Sequence, residues 1–122
     1  MDETQRRVLV VEDDDAIALV LEDLLVSEGF AVQRAANGSV ALQLLPEFRP
    51  DVIVLDLMMP VLDGWGFRVR QRAMPPEIAA IPVVVLSGAR EATTAAIEMQ
   101  AAGVVVKPFV LDALVEAIQK AS

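Results

Sequence analysis

The sequence predicts an α/β protein built on a doubly wound, five-stranded parallel sheet in the order 2-1-3-4-5, with five helices. Three observations carry this expectation. Short runs rich in Val, Ile and Leu recur along the chain, too brief for helices and too evenly apolar for strands with one wet face. Stretches of helical spacing separate them, so strand and helix alternate, and right-handed crossovers then cover a parallel sheet on both faces. Four of the strands stop abruptly on polar side chains, at Glu12-Asp13, Asp56, Ser87 and Lys107. Sheets of this kind place their chemistry at the carboxyl ends of the strands, beside the point where strand order reverses.

Arg7 to Val11 is the first strand, and Glu12-Asp13-Asp14-Asp15 follows it directly. Ala16 to Glu28 reads as a helix, with Ile17, Val20, Leu21, Leu24 and Leu25 facing the core, Asp14 or Asp15 capping its start and Gly29 ending it. Phe30 to Ala35 alternates as an edge strand, and Asn37-Gly38 opens a short helix through Leu45. Pro46 and Pro50 punctuate the entry to the third strand, Val52 to Asp56, whose β-branched run ends on a carboxylate. Pro60 and Asp63-Gly64 then force a loop, and Gly64 to Met74 is a helix that Pro75-Pro76 terminates. Trp65 and Phe67 read as a core or interface pair, and Arg68, Arg70 and Arg72 as a solvated face. Pro82 to Ser87 is the fourth strand, and Arg90 to Ala101 an alanine-rich helix with a weak apolar face and room to move. Gly103 to Lys107 is the fifth strand, its lysine preceded by three valines expected to be buried. Beyond Pro108-Phe109 the last helix offers Leu111, Leu114, Val115 and Ile118 to the core. The chain is read as one domain, residues 1–122, with Met1 a true N-terminus and a following effector domain left open.

Composition removes several classes of function. With no cysteine and no histidine there is no disulfide, no thiolate chemistry, no Cys-ligated zinc and no imidazole base, so any metal is held by oxygen. A formal charge of -8, from 18 acids against 10 bases, argues against a nucleic-acid surface, which needs clustered Lys and Arg. Mean hydropathy is high, at +0.51. Even so, no apolar run approaches the roughly 18 to 20 residues that cross a bilayer, and Met1 to Arg7 lacks the apolar segment of a signal peptide. A cytoplasmic protein without membrane insertion is expected.

The strand ends gather Glu12, Asp13, Asp56, Ser87 and Lys107 from different parts of the chain. Three carboxylates at close quarters repel, so at least one has a raised proton affinity unless a cation joins them. Mg²⁺ suits the site: it takes oxygen ligands, keeps several waters, and is commonly held by one or two carboxylates plus a phosphate. Ca²⁺ needs more ligands than are available. Once a metal and Lys107 supply positive charge, a phosphoryl group can approach an aspartate and be attacked by it. Asp56, central in the sheet, is the best-placed nucleophile; Ser87 can donate to a phosphoryl oxygen and Lys107 can pair with another. Asp14 and Asp15 read as helix caps and surface charge.

Four segments in order, Val8-Leu-Val-Val-Glu12-Asp13-Asp14, Val54-Leu-Asp56-Leu-Met-Met-Pro60 with Asp63-Gly64, Val85-Leu-Ser87-Gly-Ala89 and Lys107-Pro108-Phe109, give the chain its resemblance to a response-regulator receiver domain of the chemotaxis and phosphorelay type. The resemblance runs from end to end and implies the flavodoxin-like receiver fold. It implies that Asp56 accepts phosphate from a histidine kinase or phosphotransfer protein. It further implies that Glu12, Asp13, Asp56 and the Met58 carbonyl bind Mg²⁺, that Ser87 and Lys107 engage the phosphate, and that the Lys107-Pro108 peptide is cis. Such a domain is a signalling element that catalyses only its own phosphoryl transfer and slow autodephosphorylation. Its reader is a downstream protein or a second copy, docking on the face formed by the last two helices and the fifth strand.

Two departures qualify that likeness. Val104 stands where such receivers often carry Tyr or Phe, so the aromatic part of the usual switch is missing and the signal is expected to pass through the fourth helix or the 87–91 loop. Met58 and Ala89, two residues after the acceptor and the hydroxyl, cannot orient a water, which predicts a long-lived acyl phosphate. Other classes fit less well. A flavin or nucleotide binder needs a phosphate cradle after the first strand, where this chain has four acids. A haloacid-dehalogenase-like phosphatase has Asp-x-Asp, and here the second position is Met58. A degenerate receiver acting as a phosphate-independent binding module is kept open by Val104.

Overall fold

The computed structural model describes residues 5–122, apart from the side chains of residues 89–91 and 93. Its strands are β1 (Arg7–Val11), β2 (Ala31–Ala35), β3 (Val52–Asp56), β4 (Val83–Ser87) and β5 (Gly103–Val106). All pair in parallel, in the order β2-β1-β3-β4-β5, as the alternation of strand and helix requires. The helices are α1 (Asp15–Ser27), α2 (Gly38–Phe48), α3 (Gly64–Arg72), α4 (Pro76–Ala79), α5 (Ala89–Met99) and α6 (Leu111–Ala121).

Among the described residues six helices replace the expected five. Pro75-Pro76 does stop α3, but a proline at the first helical position lacks only an N–H that would have no partner there, so the same pair starts the single turn of α4. Pro46 likewise lies inside α2 and does not end it. It sits in the last turns, where the one hydrogen bond it removes is a small loss, and Arg49 closes the helix in the left-handed region at φ 48°.

Alternation along the strands divides the interior into two cores. Leu9, Val11, Ile53, Leu55, Val83 and Val85 face α2, α3 and α5, where Leu45, Phe67, Ala95 and Met99 cover them. Val8, Val10, Val52, Val54, Val84 and Leu86 face α1 and α6, where Leu21, Leu25, Leu114 and Ile118 close over them. β3 and β4 are buried along their whole length, the pattern of a parallel sheet sandwiched between helices. Edge positions are looser: of the three valines in β5 only Val105 is fully enclosed, and Val106 is exposed. Val20, expected in the stripe of α1, also faces outward, and Ala18 takes the inner position instead. Among the described residues no helix is long and apolar enough to cross a membrane.

Candidate functional site

Strand register assembles the site. Val11 pairs with Leu55, so the next residue of each strand, Glu12 and Asp56, emerge side by side at the carboxyl edge. Asp56 pairs with Leu86 and Ser87 with Val106, which sets Ser87 and Lys107 one and two steps further along the same edge. The Lys107 N–H donates to the Ser87 carbonyl at 2.8 Å, so the lysine is anchored although the strand before it is half open. The Lys107–Pro108 peptide is cis.

The side chains converge. Oxygens of Glu12, Asp13 and Asp56 lie within 4.8 Å of one another. Lys107 Nζ sits 3.3 Å from Asp56 Oδ1 and 3.7 Å from Glu12 Oε1. Glu12 is 2 % exposed, Asp56 5 % and Ser87 3 %, while Asp13 is open to solvent. Glu12 Oε2 accepts the Asp14 N–H at 3.2 Å, whereas Glu12 Oε1 has no hydrogen-bond partner among the described residues. Burial, followed by the proximity and charge of the Asp56 carboxyl, pushes the Glu12 carboxyl up to about 7 from 4.5. The raised proton affinity that crowding demanded thus falls on Glu12. A buried carboxylate oxygen with no hydrogen bond, only the longer Lys107 ion pair, and two further carboxylates beside it in an all-oxygen donor set fit a hard divalent cation of the Mg²⁺ class.

The loop between β3 and α3 shapes the mouth. The Leu62 N–H donates to the Pro60 carbonyl at 2.8 Å across a γ-turn centred on Val61, whose φ of 72° is a costly value for a β-branched residue. Asp63 caps α3 through the Gly66 N–H at 2.8 Å, and the Gly64 N–H returns to the Leu57 carbonyl at 3.0 Å. A Cβ on Gly64 would lie 2.9 Å from Leu57 Cα, so the close return over Asp56 requires glycine. The Met58 side chain points outward at 68 % exposed, and its N–H lies 3.4 Å from Asp56 Oδ1. Of the four acids after β1, Asp14 caps α1 by accepting the Ile17 N–H at 3.0 Å, and Asp15 pairs with Arg34 outside the cluster. The Ala89 side chain lies outside the described residues.

Two arginines were not legible as structural residues. Arg34 of β2 donates to the Glu12 carbonyl through Nε at 3.0 Å and Nη2 at 2.8 Å, and to the Asp13 carbonyl at 3.2 Å. Arg68, expected on a solvated face, is 8 % exposed. Its guanidinium donates to the Met99 carbonyl at 3.0 Å, the Gln100 carbonyl at 3.3 Å and Gln71 Oε1 at 2.8 Å, which is why burial is tolerated.

A parallel sheet in this order, with acids, a hydroxyl and a lysine along its carboxyl edge, is the arrangement expected of a receiver domain, and comparison with known proteins agrees. The chain belongs to the response regulator receiver domain family, which matches residues 8–119. Over 118 residues it is 43 % identical to the transcriptional regulatory protein PrrA of Mycobacterium tuberculosis, covering 95 % of this chain and 49 % of that one. It therefore spans about half the length of such curated relatives. Among solved structures, the chemotaxis response regulator CheY4 of Vibrio cholerae superposes with a TM-score of 0.87 at 30 % identity, over 98 % of this chain and 100 % of that one. The receiver domain of a Pseudomonas aeruginosa sensor histidine kinase, with a magnesium ion coordinated in its active-site cleft, superposes at 0.85 with 27 % identity, over 97 % and 98 %.

Proposed function

We propose that this receiver domain is phosphorylated on Asp56 by a histidine kinase or a histidine phosphotransfer protein, and that the modified form is what its partner reads. The observation that carries this reading is the approach of Lys107 Nζ to 3.3 Å from Asp56 Oδ1 inside a cluster of buried acids at the sheet's carboxyl edge. An Asp56 oxygen attacks phosphorus, the phosphorus–nitrogen bond to the donor imidazole breaks with its electron pair left on nitrogen, and an acyl phosphate remains. Lys107 pairs with one phosphoryl oxygen as a point charge, and the Ser87 hydroxyl donates to another. Glu12, Asp13, Asp56 and the Met58 carbonyl would hold Mg²⁺, which when bound offsets the negative charge that keeps a phosphoryl group away from these carboxylates. The domain catalyses its own phosphoryl transfer and slow autodephosphorylation and turns over no other substrate. Phosphorylation biases an equilibrium that already exists, and a downstream protein or a second copy reads it on the α5-β5-α6 face, in the cytoplasm.

Intact-mass spectrometry after incubation with acetyl phosphate tests this directly. A gain of one phosphoryl group that requires Mg²⁺ and disappears in Asp56→Asn is expected. With Met58 and Ala89 unable to orient a water, the label should then persist after the donor is removed; prompt loss would contradict that part of the reading. Absence of any label, under conditions that modify another receiver, would favour a phosphate-independent binding module, the alternative that Val104 supports.

A further inference from the structure

We propose that Arg34 is a positioning residue for the metal-binding acids, sorting the run Glu12-Asp13-Asp14-Asp15 so that only its first two members reach Asp56. This deepens the proposed function and rests on its reading of the acidic cluster. The geometry is specific. Arg34 projects from the edge strand β2, in register with Val10, and its guanidinium lies under the turn that leaves β1. Nε and Nη2 fork onto the Glu12 carbonyl at 3.0 and 2.8 Å, Nη2 also reaches the Asp13 carbonyl at 3.2 Å, and Nη1 holds Asp15 Oδ1 at 2.8 Å. The Glu12 N–H is fixed as well, donating to the Ala35 carbonyl at 3.1 Å.

Both peptide groups that launch the Glu12 and Asp13 side chains are therefore tied to β2, with their carbonyls occupied by Arg34. That leaves side-chain oxygens to face Asp56. Asp15 is drawn to the outer side by the ion pair, and Asp14 is spent on the α1 cap. A planar fork with several donors can hold two carbonyls and a carboxylate together, which an ammonium cannot do with fixed geometry. Partners that orient metal ligands in this way typically change metal affinity by about 10- to 100-fold when lost.

Charge and positioning predict opposite signs, and this makes the inference testable. Removing a cation from beside four acids raises Mg²⁺ affinity if Arg34 acts only through its field; loosening the turn lowers it if Arg34 positions the ligands. Mg²⁺ dissociation constants would be measured from amide shifts of ¹⁵N-labelled wild type, Arg34→Met, Arg34→Lys and Asp15→Asn, with urea midpoints taken in parallel without Mg²⁺. The expected result is a loss of about 10-fold in Arg34→Met, little rescue by Arg34→Lys, and an Asp15→Asn value within about 2-fold of wild type. Unchanged or tighter binding in Arg34→Met, or full rescue by lysine, overturns the inference while leaving the site reading intact. If Arg34→Met fails to fold, Arg34→Lys decides between the two. A wild type that binds no Mg²⁺ overturns both.

Discussion

Burial of the Glu12 carboxyl beside Asp56 has a consequence for stability as well as for binding. Its pKa in the folded chain is about 7 against an ordinary 4.5. Below pH 4.5 the group is protonated in both states and contributes nothing. Between about 4.5 and 7 the unfolded chain releases a proton that the folded chain keeps, so this group makes stability fall as pH rises, by up to ~3 kcal/mol, and the loss is complete above the folded value. Urea midpoints of the metal-free protein should decline across that window, and Glu12→Gln should flatten the decline. Added MgCl₂ should restore the midpoint near pH 8, because an ion bound only by the folded state stabilises it. A flat profile in the wild type would show that Glu12 is not buried in this way.

At the scale of elements, the buried pair Arg68 and Gln71 joins three segments. Arg68 binds the carbonyls that end α5, and Gln71 Nε2 donates to the Ile78 and Ile81 carbonyls, at 3.0 Å each, where α4 leads into β4. Arg68→Met should cost about 2–4 kcal/mol in chemical denaturation, since it strands Gln71 Oε1 and the Met99 carbonyl away from water. The strands, their order and their polar tips were readable because an unbroken β-branched run ending on Asp56 or Ser87 is a local pattern with one physical meaning. Arg68 was not, because three arginines at alternate positions look alike until the fold shows which one turns inward. Arg34 was hidden for a related reason: its partners are backbone carbonyls of Glu12 and Asp13, and a carbonyl leaves no trace in residue identity. The start of α4 at Pro76 is not visible in the sequence, because a proline that ends one helix and a proline that begins another are the same letter.

For the whole molecule, a net charge of -8 surrounds a site that, under the proposed function, has to admit an anion. At saturating Mg²⁺, raising ionic strength from about 10 to about 150 mM shortens the screening length from roughly 30 to roughly 8 Å, and labelling by acetyl phosphate should accelerate by about 2- to 3-fold. Time-resolved intact-mass measurements check the sign; slower labelling would mean that local cations at the site outweigh the field of the chain. The two arginines also divide the molecule mechanically. Arg68 clamps α5 at its C-terminal carbonyls, whereas the other end of that helix begins at Gly88, directly after Ser87, with no side-chain cap. α5 is thus a helix about 16 Å long, held by side-chain hydrogen bonds at its Met99 and Gln100 end. If phosphorylation displaces Ser87, as the proposed function expects, the first turn of α5 travels further than the end that Arg68 holds, so a receptor for the moved state should feel the first turn before it feels the last.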